Sequence, residues 1–248
     1  MAERVVIFGA TSAIASEVAR VYAARGARLF LVGRDPEKLS ALRSRLGDAV
    51  VGAESVDLNA TADATRWVES AAAALGGGFD VAVIAQGLLG DQLATEREYA
   101  EAELVLRTNF LSAVALLVPL ANRFEVQRAG HIVVLSSVAG ERGRPRNYTY
   151  GAAKGALTVY LQGLRTRLWR HGVGVHTIKL GPVDTPMTVG HRKHLLFGRR
   201  DRVAEDIVRA VDRGRGEVYV PWFWYFIMAI VRAMPEIVLQ RLSFLSGR

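Results

Sequence analysis

The chain has 248 residues, half of them hydrophobic, and a formal net charge of +8. That length suits one domain with a substantial core, and the absence of cysteine excludes disulfides, thiol catalysis and cysteine-ligated metals. Nearly all the cations are arginine, which suits nucleic acid, an anionic membrane surface or a phosphorylated substrate. No nucleic-acid motif accompanies the arginines, so no nucleic-acid partner is expected.

Met1-Ala-Glu-Arg runs straight into an apolar stretch without a secretory h-region, so a cytoplasmic location is expected. Val5–Phe8 reads as a buried strand, followed by the small-residue turn Gly9-Ala-Thr-Ser-Ala-Ile-Ala15 and a helical pattern to about Arg25. Arg28–Val32 is a second strand. Strand, turn, helix and strand make a βαβ unit of the kind that binds a dinucleotide. Gly9, Thr11, Ser12, Ala13 and Ile14 are then the pyrophosphate candidates, because helix-start amides and the helix dipole attract anions. Ala13 and Ala15 stand where this fingerprint expects glycine, so added methyls threaten the phosphate approach and the helix–strand contact.

The second strand ends at Gly33-Arg34, where selection of the unphosphorylated cofactor calls for an acid. Gly33 leaves space and Arg34 offers a guanidinium to a 2′-phosphate, which favours NADP(H) over NAD(H). Asp35 precedes Pro36 and is expected to cap the next helix. The pattern continues with a helix at Glu37–Leu46, a strand at Val50–Val56, and Asp57-Leu58 at an adenine edge. Thr61–Leu75 reads as a helix, and Asp80–Ala85 as a strand leading into Gln86-Gly87. A long helical region is expected over about Glu98–Val126, containing Asn109. Asn109 is a neutral surface residue there, or it holds a water for proton transfer.

His131–Ser137 is a strand ending in serines, and Tyr150-Gly-Ala-Ala-Lys154 opens a helix to about Arg170. Helical spacing puts Tyr150 and Lys154 on one face. Free tyrosine titrates near ~10, and a neighbouring ammonium is expected to lower that value. With Ser137 holding a carbonyl against Tyr150, this outlines a carbonyl reduction site. Val173–Leu180 is a strand leading into Gly181-Pro-Val-Asp-Thr-Pro186. The basic stretch His191–Arg200 reads as a substrate lid or a solvated loop. Asp201–Arg213 is a helix and Glu217–Val220 a last strand. The expected fold is a single α/β Rossmann domain over 1–220. Its seven-stranded, mostly parallel, doubly wound sheet is covered by helices on both faces.

Residues 221–248 break the pattern. Trp222–Val231 is apolar and aromatic, too short to span a bilayer, and followed by Arg232, Arg241 and Arg248. It suits a headgroup layer or a subunit contact.

Gly9…Ala15, Asn109, Ser137, Tyr150, Lys154 and the Gly181…Thr185 loop together resemble the classical short-chain dehydrogenase/reductases, over about residues 4–220. The segments Val83–Asp91 and Ser136–Arg142 and the aromatic tail look like decaprenylphosphoryl-2-keto-ribose reductases. The resemblance implies Tyr150 as general acid, Ser137 orienting the carbonyl and Asn109 fixing a relay water. It implies Lys154 lowering the Tyr150 pKa and holding the nicotinamide ribose. Val183 and Thr185 would meet the carboxamide, Asp57 and Leu58 the adenine, and Ala85, Gln86 and Gly87 the adenosine ribose. The implied substrate is a small or lipid-linked carbonyl, with no metal. The implied assembly is a homo-oligomer, dimer or tetramer, at the inner membrane face if the tail binds lipid. Gln86 and Leu180-Gly181-Pro182 depart from the family pattern. A soluble-carbonyl reductase and a cofactor-binding scaffold without turnover are the competing readings.

Overall fold

A computed structural model describes residues 2–188 and 196–241. Among these, the apolar runs form β1 (Arg4–Phe8), β2 (Arg28–Gly33), β3 (Val50–Ser55), β4 (Val81–Ile84), β5 (His131–Ser137), β6 (Gly174–Leu180) and β7 (Glu217–Val220). They pair in the order β3-β2-β1-β4-β5-β6-β7, and every pairing is parallel. The strand order reverses between β1 and β4, which opens a crevice at their carboxyl ends, where such sheets take ligands.

The helices are α1 (Ala13–Ala24), α2 (Pro36–Leu46), α3 (Ala64–Ala74), α4 (Gln92–Arg97), α5 (Tyr99–Leu106), α6 (Ser112–Gln127), α7 (Tyr148–Trp169), α8 (Arg200–Asp212), α9 (Trp224–Ala233) and α10 (Glu236–Arg241). Successive strand residues point to opposite faces. Val6 and Phe8 therefore join Trp67 of α3, Leu116 of α6 and Leu157 of α7 on one side. Val5 and Ile7 join Tyr22 of α1, Leu39 of α2 and Ile207 of α8 on the other. Burial on both faces explains why the strands read as continuous apolar runs. Asp35 caps α2 as its place before proline predicts, accepting from the amides of Glu37 and Lys38 at 3.1 Å each.

The expected long helical region runs without interruption from Tyr99 to Gln127. A π turn at Arg107–Leu111 joins α5 to α6, and the short α4 precedes them. The Asp91 side chain starts α4 by accepting from Leu93 N at 2.8 Å. Tyr99–Gln127 is long and apolar enough to cross a membrane by composition, yet Leu116, Leu117, Leu120 and Phe124 are buried as part of the core.

The apolar tail divides its side chains. Trp224 and Met228 are buried against Val138 and Tyr219, while Trp222, Tyr225, Phe226 and Ile230 are exposed. Residues 191–195 of the expected lid, and Arg248, lie outside the described residues.

Candidate active site

The candidate catalytic side chains gather where β4, β5 and α7 meet. Lys154 is almost fully buried, and its ammonium donates to Leu135 O of β5 at 2.9 Å. Thr158, one turn further along α7, donates to Lys154 O at 2.9 Å and bonds the Ser136 hydroxyl at 3.0 Å. These bonds fix the rotation of α7 against β5. Gly151 permits the close approach: a Cβ there would lie 2.8 Å from Ala139 O, in the turn that follows Ser137. The Ser137 hydroxyl donates to Leu180 O at 3.3 Å, accepts from Ala139 N at 3.1 Å, and lies close enough to the Tyr150 phenol to favour its ionised form.

The electrostatics reverse one expectation. Lys154 Nζ stands 5.8 Å from the Tyr150 ring centroid, but burial governs both groups. Burial pushes the Tyr150 phenol up to about 12, against the opposing effect of Ser137, and pushes the Lys154 ammonium down to about 8. Desolvation disfavours the charged form in each case. Tyr150 therefore holds its proton at neutral pH, the state a general acid needs.

Asn109 sits in the π turn and is buried. Its amide donates to Leu88 O at 2.6 Å and Val105 O at 2.8 Å and accepts from Leu88 N at 3.2 Å. The side chain thus ties the loop after β4 to the π turn. A Cβ on Gly87 would lie 3.0 Å from Asn109 Oδ1 and 3.7 Å from Lys154 Nζ, so both residues reach the end of β4.

Beside this cluster lies a cavity of about 340 Å³ at the carboxyl ends of β1, β2 and β4. Of the expected nucleotide contacts, Gly9, Thr11, Ser12, Gly33, Arg34, Asp57, Leu58, Gln86 and Gly87 line it. Ala13, Ile14, Ala85, Val183 and Thr185 do not, nor do Tyr150 and Lys154. Gly9 has φ +77°, and a Cβ there would lie 2.6 Å from Gln86 N, so the turn requires glycine. The Ser12 side chain caps α1 through Ala15 N at 3.3 Å, leaving first-turn amides without helical partners. Ala15 is buried in the core, so its methyl is accommodated between α1 and the sheet.

A dinucleotide fits this lining. Two buried carbonyl oxygens on residues that line the cavity, Gln86 Oε1 and Asn59 Oδ1, have no hydrogen-bond partner. The Gln86 amide is oriented by its neighbours: Nε2 donates to Ser112 Oγ at 3.3 Å, and that hydroxyl donates to Thr108 O at 2.8 Å. Lys38 and Asn59 are lining residues that sequence reasoning passed over. Lys38 had a signal, being one turn beyond Arg34. A larger hollow, about 560 Å³, lies outside α3 and α6, remote from these groups.

The loop after β6 closes the other side. Val183 bridges to Gly198, reinforced by Asp184 N donating to Gly198 O at 3.0 Å and Gly198 N to Pro182 O at 2.9 Å. Thr185 is half-buried on the same loop. Gly181 lies flat against α9, since a Cβ there would stand 2.2 Å from the Trp224 indole nitrogen. The sequence departure at Leu180-Gly181-Pro182 thus makes room for the aromatic tail.

The sequence model described as short chain dehydrogenase matches residues 3–195. The chain belongs to the short-chain dehydrogenase family. An uncharacterised oxidoreductase of Mycobacterium tuberculosis is 36% identical to this dehydrogenase over 244 residues, covering 96% of each chain. Dehydrogenase/reductase SDR family member 7B of Danio rerio is 32% identical, covering 86% of this chain and 75% of its own. Among solved structures, a short chain dehydrogenase from Burkholderia cenocepacia in complex with NADP superposes with a TM-score of 0.84 at 19% identity, covering 97% of each chain. Actinorhodin polyketide ketoreductase with NADPH gives 0.78 at 21% identity, covering 88% of this chain and 95% of its own. The protein is therefore an oxidoreductase with an NAD(P)-binding Rossmann fold.

One pH dependence follows for this dehydrogenase. The depressed Lys154 ammonium is present below about pH 8 and lost above it, while Tyr150 stays protonated. The reductive kcat/KM with respect to the cofactor, which reports free-enzyme groups, is expected to fall as pH rises through about 8. A profile flat from pH 6 to pH 10 would show that the Lys154 charge does not contribute.

Proposed function

We propose that the protein reduces a ketone to a secondary alcohol with NADPH. The observation that carries this reading is the protonated Tyr150, close to Ser137, at the end of the sheet beside the cavity. The reduced nicotinamide supplies the hydride when bound. Tyr150 donates its proton to the carbonyl oxygen and Ser137 orients that oxygen; such a positioned acid contributes roughly 10²–10⁴-fold to a rate. One Lys154 N–H bond is taken by Leu135 O, which leaves others for ribose hydroxyls. Gln86 Oε1 and Asn59 Oδ1 accept from the adenosine half. Val183 and Thr185 meet the carboxamide.

The preference for NADP(H) rests on Arg34 and Lys38 at the β2 end of the cavity, where Asp35 is engaged by the helix cap and by Lys38 at 3.0 Å. The NADP and NADPH in the two similar structures support the same choice. Titration with NADPH and NADH tests it. Arg34→Ala is expected to weaken NADPH binding roughly tenfold to a hundredfold, the worth of a charge-assisted hydrogen bond, and to leave NADH nearly unchanged. Equal losses for both cofactors would refute the 2′-phosphate assignment.

The favoured substrate is a polyprenyl-phosphate-linked keto sugar, supported by the resemblance at Val83–Asp91 and Ser136–Arg142. On this reading residues 1–220 are the catalytic unit. Residues 221–248 contact a membrane surface with Trp222, in the turn ahead of α9, and with Phe226 and Ile230 on α9, the helix packed on Gly181. Exposed apolar side chains on α6 and α7, including Val118, Val159 and Trp169, support a homo-oligomer. Because Trp224 and Met228 belong to the core, the membrane test uses serine at 222, 226 and 230 rather than deletion. Sedimentation with anionic vesicles that is unchanged in this variant would favour a soluble carbonyl.

A further inference from the structure

Between the two catalytic hydroxyls the chain reads Glu141-Arg-Gly-Arg-Pro-Arg-Asn147, with an arginine at every second position. Elsewhere arginines such as Arg4, Arg25, Arg123 and Arg167 pair with carboxylates. In this loop, among the described residues, none does. Glu141, the adjacent acid, is turned away to Lys179 at 2.5 Å. Arg142 donates to Met234 O at 3.2 Å, which ties the loop to the end of α9. Arg144 differs from both neighbours. Its Nε is buried and has no hydrogen-bond partner, although its main-chain carbonyl accepts from Asn147 N at 3.1 Å and so fixes the turn that leads into α7. Burial, with repulsion from Arg146, holds the Arg144 guanidinium below its ordinary value.

Arg144 is half-buried, with its Nε shut away from solvent and unpaired; burying part of a cation without a counter-charge has a cost, and a second cation close by increases it. Proteins tolerate this where an anionic ligand supplies the missing charge. The Arg144 loop leaves Ser137 through the turn at Val138–Glu141 and enters α7 two residues before Tyr150, so it directly joins the two residues that the reductase reading sets against the carbonyl. A dianion neutralises two guanidinium groups at once, and phosphate matches the planar fork of arginine. We propose that Arg144, assisted by Arg146, binds a phosphate group of the substrate and selects phosphorylated carbonyl compounds. The inference rests on the reductase reading, since it places the phosphate beside the Tyr150–Ser137 pair.

The test begins with NADPH titration of wild-type protein; absence of cofactor binding there would remove the reductase reading itself. The protein is then saturated with NADP⁺, which fills the Arg34 site, and titrated calorimetrically with inorganic phosphate. Wild type is expected to bind, Arg144→Gln to bind at least roughly tenfold more weakly, and Arg144→Lys to fall between, because lysine keeps the charge but loses the fork. NADPH titration and thermal melting of Arg144→Gln establish that it is folded, and Arg144→Lys serves if it is not. Absence of phosphate binding in NADPH-competent wild type, or equal affinity in wild type and Arg144→Gln, would overturn the proposal. So would binding that is lost in Arg34→Ala but kept in Arg144→Gln. Repeating the titration with dodecyl phosphate separates the sources. Tighter binding than inorganic phosphate, lost with Arg144→Gln, supports the site with a lipid-linked phosphate. Equal binding supports it with a soluble one.

Discussion

Replacing Tyr150 with phenylalanine is expected to lower kcat for carbonyl reduction by about 10³-fold, within the range a positioned general acid contributes. Phenylalanine keeps the ring that packs 5.8 Å from Lys154 Nζ and removes the proton that the carbonyl oxygen must receive. NADPH affinity should change little, because Lys154 keeps its bond to Leu135 O and the cavity lining is untouched. The loss therefore appears in kcat, as expected when the missing interaction forms in the transition state. Ser137→Ala should cost less, since it removes orientation and one hydrogen bond but leaves the acid. Steady-state rates together with cofactor titrations check both variants. A Tyr150→Phe enzyme within tenfold of wild type would sink the assignment of Tyr150 and move the proton source elsewhere.

The sheet was legible because its strands are buried on both faces. Runs such as Val5–Phe8 and Ile132–Leu135 carry no polar interruption, and turns with small residues separate them from amphipathic helices. The Tyr150–Lys154 spacing was legible for the same local reason, being one helical turn. What escaped depends on contacts between distant segments. The π turn within the helical region Tyr99–Gln127 goes with bonds from Asn109 to Leu88, which lies 21 residues earlier. The sign of the Tyr150 shift depends on burial, which a sequence does not display, so a charge argument alone predicted lowering. The methyl of Ala15 looked obstructive only until the gap between α1 and the sheet was seen to hold it. Gly181 read as a departure from the family pattern, and its purpose is visible only with Trp224 lying across it. In the tail, composition showed an apolar helix but not which side chains face inward.

Lys179→Met is expected to destabilise the fold by about 3–5 kcal/mol, the usual cost of breaking a buried ion pair by removing one partner. Lys179 lies within β6 and is 3% exposed. Its ammonium donates to Glu141 Oε1 and to Glu217 Oε1 at 2.5 Å each. Burial pushes this ammonium down, but the two carboxylates outweigh it and hold the group above its ordinary value. The Tyr219 hydroxyl also donates to Glu141 Oε1, at 2.5 Å. Methionine fills the volume but leaves the Glu141 carboxylate, 5% exposed, with Tyr219 as its hydrogen-bond donor and Arg232 3.9 Å from its second oxygen. For a chain of this size the loss corresponds to a fall in Tm on the order of 10 °C. The raised Lys179 pKa makes its stabilising contribution complete below the unfolded value, near ~10.4, and lost as pH rises through the folded value; the deficit should therefore be full at neutral pH. Glu141 ends the turn that begins after Ser137, so the variant should also lose kcat/KM through a displaced Ser137. Adding Glu141→Gln to Lys179→Met removes the stranded charge and should recover part of the lost Tm. A single variant that melts within about 2 °C of wild type, well below the shift expected from a few kcal/mol, would show that Glu141 finds another partner and that the network does not hold the catalytic turn.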